Sequence, residues 1–304
     1  MTKLITWLAG ILGLQIVLMI LLLVFGSTNS VPFKATTLFN FNQKQLDKII
    51  ISDLQAEVVI EKISGKWILP ELNHLPANSN EVDALVNRLV SLRTTWPVAT
   101  TVSSHQRFEV SEDTFRRKLE LFSNDNSLGV LFLGTSPGFK KSHLRMAGNA
   151  EVFALELNAY DAPVFANDWL DKMIIATQAI TRIKGSGFEL IKKNDIWEFS
   201  NADNGEMVDP DQANTLNSSF ATLQVMGVAD DAPKMQGGDV VTLEVSSDKI
   251  LRYQLLESEG EHYIKRSDVE PIFRLNEHVF RSLTKPDRAS LKRSVTINED
   301  TTEP

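Results

Sequence analysis

Residues 48–69 read KIIISDLQAEVVIEKISGKWIL, and residues 179–199 follow the same plan as AITRIKGSGFELIKKNDIWEF. Each stretch contains a short apolar run, a second run that ends in a basic residue, a turn, and a third run centred on Trp67 or Trp197. Runs rich in Val, Ile and Phe and bounded by Gly, Ser and Asn are typical of strands joined by tight turns. The two stretches therefore predict two similar antiparallel meanders.

A helix is predicted after each Trp-centred strand. Apolar residues recur at three- and four-residue spacing over residues 82–90 and again over residues 213–223, which places them on one face of a helix. Ser79 and Asn80 are the predicted caps of the first helix, and Asp209 is the predicted cap of the second, because their side chains accept hydrogen bonds from unpaired backbone amides.

Strand candidates follow each helix in matching order. They lie at 118–122, 128–133, 143–146 and 152–157 in the first half, and at 240–246, 250–256, 263–265 and 271–275 in the second. Six elements in the same order favour an internal duplication over chance similarity of short strands, which is the alternative. The predicted fold class is α+β, an N-terminal transmembrane helix and two repeated antiparallel-sheet-plus-helix domains. The predicted ranges are 1–34 (anchor and linker), 35–172 and 173–290 (repeats) and 291–304 (flexible acidic tail).

The N-terminus is the most apolar part of the chain. Residues 4–26 read LITWLAGILGLQIVLMILLLVFG and carry no charged side chain. A helix of this length spans roughly 35 Å, enough to cross a hydrocarbon core of about 30 Å. A cleaved signal peptide and a buried core helix are the alternatives. A cleaved signal peptide would be followed by a small-residue cleavage pattern, which is missing after residue 26. A buried core helix would not be apolar on every face. An uncleaved membrane anchor is predicted.

The flanking charges are nearly balanced, with Lys3 before the anchor and Lys34 and Lys44 after it. A short N-terminus followed by a long polar region is the layout of a signal anchor, and long domains cross membranes largely regardless of their charge. We therefore expect a single pass through the inner membrane of a bacterium, with the bulk of the chain in the periplasm.

Composition excludes several function classes. The chain has 39 acidic and 31 basic residues and a net charge of −8, whereas a general nucleic-acid binder shows a basic face. No nucleic-acid partner is expected. The chain contains no Cys, which excludes lipoprotein processing and a thiol nucleophile. About 270 residues outside the anchor agree with roughly two domains.

Motifs that carry chemistry are missing from the sequence. The five His residues form no metal-binding spacing; His105 and His278, each close to a Glu, come nearest, and both are predicted to lie on the surface. Gly185-Ser186-Gly187 lacks the remainder of a phosphate loop and is predicted to be a hairpin turn. The sequence therefore predicts no catalytic, cofactor-binding or metal-binding residue and no cofactor.

Three further features have a structural and a functional interpretation. Trp67 and Trp197 would suit stacking on a ligand, but at equivalent places in two repeats core positions are favoured. The acidic pairs in loops, such as Asp230-Asp231, are predicted to be solvated turns and not cation sites. The basic run of residues 116–118 is predicted to be a solvated sheet edge.

The order of several short segments resembles the bacterial family called domain of unknown function 4340. The matching segments are 46–51, 65–69, 76–78 running into 81–85, 131–134, 151–155 and 168–170, within a resemblance that covers residues 35–290. Leu255-Leu256-Glu257 departs from the pattern, because the first copy has Leu133-Gly134 there. The resemblance implies a membrane-tethered accessory protein, often linked to ABC transport systems of the gliding-motility type, with no established catalytic activity.

Two function classes follow. The first is a non-catalytic, membrane-anchored periplasmic accessory or scaffold protein whose partners are membrane proteins such as ABC transporter subunits. The alternative is a module that binds or hydrolyses an envelope glycan or peptide in a cleft between the two repeats. The alternative predicts exposed aromatic residues and carboxylates with perturbed pKa values in that cleft.

Overall fold

The computed structural model describes residues 2–26, 34–138, 140–203, 205–236 and 240–293. The predicted linker residues 27–33 and the tail residues 294–304 lie outside the described residues. The helices of the described part are α1 (Thr2–Gly26), α2 (Ser79–Ser91), α3 (Ser104–Arg107), α4 (Ala166–Trp169), α5 (Pro210–Ala221) and α6 (Glu277–Thr284).

The first sheet contains β1 (Lys48–Ser52), β2 (Glu57–Ile63), β3 (Lys66–Leu69), β4 (Leu75–Pro76), β5 (Arg117–Ser123), β6 (Asn126–Leu133), β7 (Ser142–Met146) and β8 (Phe153–Leu155). These strands pair antiparallel in the order β4-β3-β2-β1-β5-β6-β7-β8. In β1, Ile49 and Ile51 are fully buried and Ile50 between them is half-buried, as the alternation of side chains across a strand requires. One face of the sheet therefore carries the core.

The second sheet contains β9 (Arg182–Gly185), β10 (Phe188–Lys193), β11 (Ile196–Phe199), β12 (Gly227–Val228), β13 (Val241–Ser246), β14 (Ile250–Ser258), β15 (Glu261–Arg266) and β16 (Phe273–Leu275). Its order is β11-β10-β9-β13-β14-β15-β16-β12. With β4 and β12 set aside, the remaining seven strands follow the same order in both sheets. The predicted α+β class, with an N-terminal apolar helix and two antiparallel sheets, is confirmed. The duplication and the domain bounds stay predictions.

The two main helices begin at capped positions. Asp209 caps α5 by accepting hydrogen bonds from the amides of Asp211 (2.9 Å) and Gln212 (3.2 Å), as predicted. The predicted caps of α2 are wrong by one position or more, because Asn78 is the cap and its Oδ1 accepts from the Asn80 amide at 3.2 Å. Helix ends are the least reliable part of a sequence-based assignment, and Asn is as good a cap as Ser.

The two sheets share one continuous apolar core. The segment around α4 joins them: the Trp169 carbonyl accepts from the Asn78 amide (2.7 Å), and Asn167 Oδ1 accepts from the Val228 amide next to the second sheet's edge (2.8 Å). Lys172 donates to the Met226 carbonyl at 2.6 Å, and its own carbonyl accepts from Val225. These hydrogen bonds to backbone groups fix the position of α4 between the two sheets.

The two Trp residues are core residues, with exposed fractions of 3% for Trp67 and 5% for Trp197. A lysine lies over each ring, at 4.9 Å from the centroid of Trp67 and 5.8 Å from that of Trp197. The indole environments differ, because Trp67 Nε1 donates to Asp83 Oδ1 at 3.1 Å whereas Trp197 Nε1 is buried with no partner among the described residues. Asp83 is the fifth residue of α2, and Asn214 is the fifth residue of α5.

This difference predicts opposite effects of two substitutions on the free energy of unfolding. Asp83→Ala should lower it by about 1–2 kcal/mol, because a buried donor loses its acceptor. Asn214→Asp should raise it by about 1 kcal/mol, because a charged carboxylate at the position equivalent to Asp83 is a stronger acceptor for Trp197 Nε1 than the amide oxygen of Asn214. Urea unfolding of the full chain in mild detergent measures both changes. Asn214→Asp in a Trp197→Phe background is the control, and a gain that persisted there would show that the helix dipole, not the indole, is responsible.

Candidate functional site

Helix α1 is the first candidate for a functional element. Its 25 residues form the one helix of the described part that is long and apolar enough to cross a membrane. The side chains of residues 5–22 are all exposed, so the protein body does not cover them. An apolar helix of this length, exposed on every face, fits the hydrocarbon core of a bilayer. A signal sequence near the N-terminus can meet the same criteria of length and composition, and α1 is therefore a candidate membrane span.

The five His residues do not lie together in a site. His278 is exposed as predicted, but the surface prediction for His105 is wrong, because it is 7% exposed and donates from Nε2 to the Ala150 carbonyl at 2.9 Å. His143 is also buried and shares a 2.8 Å hydrogen bond with Thr135 Oγ1. Burial lowers the pKa of the His143 imidazole; a hydrogen bond with the backbone of Thr135 opposes this, and the charge of Arg107 lowers the pKa further.

His262 differs from the other two buried histidines, because a buried nitrogen of its ring has no hydrogen-bond partner among the described residues. Its Nε2 is buried, makes no hydrogen bond within the described residues, and lies 3.8 Å from Glu257 Oε2. The ring packs on Phe280 of α6 with centroids 4.6 Å apart. This ring packing connects α6 to the second sheet, which is a structural role for His262.

The acidic loop residues form no cation site in the described part of the chain, where no group of three or more His, Asp or Glu side chains is placed to hold a metal ion. Asp231 pairs with Arg274 at 2.6 Å, and Asp209 is the cap of α5. Residues 186 and 187 form the two-residue turn between β9 and β10, as predicted.

The basic run of residues 116–118 is not a sheet edge, which corrects the prediction. Strand β5 lies between β1 and β6, inside the sheet. Arg117 donates to the Ala162 carbonyl (2.9 Å) and pairs with Asp53 (3.2 Å), while Lys118 pairs with Glu120 (2.6 Å). Arg117 therefore connects the segments that contain Asp53 and Ala162 to the first sheet, the former through an ion pair and the latter through a hydrogen bond.

A cavity with a volume of about 580 Å³ lies beside the C-terminal end of α2. We call it the basic cleft; its charged lining residues are Arg88, Arg93, Lys140, Lys141, Glu156 and Asp161. Arg88 forms an ion pair with Asp161. Sequence reasoning missed this cleft, because its walls come from three segments that are distant along the chain, and only the adjacent Lys140-Lys141 pair gave a local signal.

A smaller cavity of about 200 Å³ lies between the two halves of the protein. Glu71 and Asn73 line it from the first half, and Asp230 and Glu270 line it from the second. Burial, and to a lesser extent the charge of Glu57, raises the pKa of the Glu71 carboxyl above its ordinary value. Ligand pockets usually enclose about 300–1,000 Å³, so this cavity is small for a glycan or a peptide.

Comparison with known proteins gives one match. No curated protein and no solved structure matches this chain. A family model matches residues 67–239, a range that begins at the buried Trp of β3, passes through the α4 junction and ends before β13. The matched range covers more than half of the chain and includes strands of both sheets, and the chain therefore belongs to the family described as Domain of unknown function (DUF4340).

Proposed function

We propose that this protein is a membrane-anchored accessory or scaffold protein that binds other membrane proteins. The observation that carries the proposal is the exposed apolar helix α1, which is joined to a folded body built from two sheets. A helix of this kind tethers the body and raises its local concentration near partners in the same membrane.

The proposed topology is a single pass through the inner membrane with residues 35–304 in the periplasm. The short N-terminus before α1 and the long polar region after it support this orientation, because long domains cross membranes largely regardless of their charge. The net charge of −8 supports the absence of a nucleic-acid partner.

The proposed partners are subunits of an ABC-type transport system, to which the protein is auxiliary. The support is the family membership together with the implied link of such proteins to transporters of the gliding-motility type. The body offers surfaces for contacts, because the terminal strand β8 leaves a sheet edge and apolar side chains such as Phe165 and Met226 are more than half exposed.

The proposal includes that the protein catalyses no reaction. Its support is that two of the buried histidines have structural partners: His105 bonds to a backbone carbonyl, and His143 bonds to Thr135. We also propose that the two sheets are copies of one unit, which their common strand order supports.

Co-purification tests the proposed partnership. The full chain, a chain without residues 2–26 and a chain with an unrelated membrane helix in place of α1 are purified in mild detergent and analysed by mass spectrometry. ABC transporter subunits should accompany the first and third chains and be depleted from the second, because the contacts are made by the body and supported by the tether. Absence of transporter subunits from the full-length sample would contradict the proposal.

A second candidate function rests on the cavity between the two halves. The raised pKa of Glu71 in this cavity is the property expected of a carboxyl that binds or hydrolyses an envelope glycan or peptide. No aromatic side chain is among the described lining residues, and such a side chain is the usual platform for a sugar. Thermal shift with cell-wall glycan and peptide fragments tests this candidate: a shift that Glu71→Gln abolishes and Glu57→Gln retains would favour it.

A further inference from the structure

The chain enters the folded body along one wall of the basic cleft. Thr36 and Thr94 exchange hydrogen bonds, from the Thr36 amide to Thr94 Oγ1 (3.0 Å) and from the Thr94 amide to the Thr36 carbonyl (2.8 Å). The Leu38 amide donates to the Leu92 carbonyl at 2.9 Å. Leu92 and Arg93 line the cleft. The first described segment after α1 is therefore paired with the cleft itself.

This path keeps the cleft close to the membrane that α1 would enter. Seven residues separate Gly26, the last residue of α1, from Lys34, the first described residue of the body. A chain of this length spans at most roughly 28 Å even when fully extended. The mouth of the cleft is consequently within reach of the lipid headgroups, whatever conformation those residues adopt.

The charge of the cleft suits an anionic surface. Four cationic side chains and two carboxylates line it, an excess of two positive charges on a chain whose net charge is −8. Arg88 is neutralised by Asp161, whereas Arg93 and Lys141 are exposed and have no ion-pair partner within the described residues. Guanidinium and ammonium groups are the usual ligands of phosphate in proteins.

Two exposed aromatic residues flank the cleft. Trp96, which is 70% exposed, follows the lining residue Thr95, and Tyr160, which is 96% exposed, lies between the lining residues Asn158 and Asp161. Trp and Tyr are enriched at the interface between lipid and water, where the ring meets the acyl boundary and the polar group stays hydrated. Basic and aromatic residues together are typical of a surface that contacts a bilayer.

We propose that the basic cleft binds the phosphate headgroups of anionic phospholipids in the membrane that holds α1, and that Trp96 and Tyr160 sit in the interfacial layer beside it. The inference rests on the proposed tether. Binding would hold the body against the bilayer in one orientation, so that one face of the two sheets is presented to partners. Arg93 and Lys141 are the residues that carry the electrostatic attraction.

The test uses the full chain in nanodiscs. Because the chain has no Cys, Thr95→Cys carries a single nitroxide label at the cleft, and Thr242→Cys carries one on the second sheet. The accessibility of each label to a water-soluble nickel chelate is compared between phosphatidylcholine discs and discs that contain phosphatidylglycerol. Accessibility at Thr95→Cys should fall by at least roughly fivefold in the anionic discs, since each of the two basic groups near an anionic surface strengthens binding by about that factor. Thr242→Cys should not change.

Charge-reversal variants identify the residues responsible. Arg93→Glu/Lys141→Glu should restore the accessibility of the Thr95→Cys label in anionic discs, whereas the matched pair Lys184→Glu/Lys234→Glu on the second half should leave the protection intact. Circular dichroism checks that both variants are folded. Raising the salt concentration should weaken the protection, because exposed charges are screened.

Three results would overturn the inference. A label at Thr95→Cys that is equally accessible in both disc types would exclude headgroup binding. Protection by inorganic phosphate in phosphatidylcholine discs, with no effect of phosphatidylglycerol, would assign the cleft to a soluble anion. A chain that does not elute with the discs would refute the tether itself, and gel filtration before labelling separates this failure from the other two.

Discussion

Deletion of residues 2–26 should move the protein from the membrane fraction to the soluble fraction. Residues 5–22 of the helix are uncharged and predominantly apolar, and the body leaves their side chains exposed. No other helix of the described chain is long and apolar enough to replace α1. Ultracentrifugation of lysed cells, followed by a carbonate wash, measures the distribution.

Point substitutions in α1 give a sharper version of this test. Leu14→Arg/Leu18→Arg places two charges near the middle of the bilayer, at a cost of about 3 kcal/mol each. We expect the membrane-bound fraction to fall strongly, while the matched Leu14→Ile/Leu18→Ile chain stays in the membrane. A wild-type protein recovered in the soluble fraction at a mass lower by the first 26 residues would show that α1 is a cleaved signal, and would contradict the tether.

Gly134→Ala should produce the largest loss of stability of any single methyl addition at the described glycines. A Cβ at this position would lie 1.9 Å from the Phe108 carbonyl oxygen and 2.5 Å from the Glu109 carbonyl oxygen. Both atoms belong to the backbone, so neither can move without shifting the segment that contains α3. We expect the free energy of unfolding to fall by about 3 kcal/mol, the upper part of the usual range for overpacking. Urea unfolding in detergent measures it.

The control for this substitution is Gly138→Ala. Gly138 has open space where the Cβ would be and does not require the left-handed backbone conformation. Its replacement should change the free energy of unfolding by less than about 0.5 kcal/mol. Equal unfolding midpoints for the two variants would refute the close approach of the α3 segment to the end of β6.

The same close approach explains why the two halves differ at this point. The Thr135 amide, next to Gly134, donates to the Phe108 carbonyl at 2.9 Å, so the α3 segment lies directly over the end of β6. The strand pairings place Leu256 at the corresponding position of the second sheet, where it is buried against Tyr263 and Met235. At Leu256, where the sequence departs from the family pattern, a cluster of buried side chains therefore replaces the close backbone contact that Gly134 makes in the first half.

Periodicity predicted most of the regular structure. The strand at 48–52 and the strands centred on Trp67 and Trp197 are apolar runs bounded by turn residues. Such signals depend only on residues that are neighbours in the sequence. Helix α6 was missed, because it is short and buries only Phe280 and Leu283. The interpretations of His105 and Arg117 were wrong for a different reason, because their partners, Ala150 and Ala162, are both 45 residues away along the chain.

The basic cleft could not be predicted from local patterns. Arg93 and Lys141 are nearly fifty residues apart along the chain. They line the same cavity because the fold brings the segment after α2 close to the segment before β7. The apolar helix α1, in contrast, was predicted as a candidate membrane span, because an apolar helix needs no tertiary partner to be recognised.

The most direct test of the account is the side of the membrane on which the body of the intact chain lies. Asp195→Cys introduces the only thiol of the chain at a side chain that is 96% exposed. A membrane-impermeant maleimide is added to cells with a permeabilised outer membrane, and the labelled protein is weighed by mass spectrometry. The account predicts labelling without lysis, at the 34.0 kDa mass of the uncleaved chain plus the label. Labelling only after lysis, or a product that has lost α1, would contradict it.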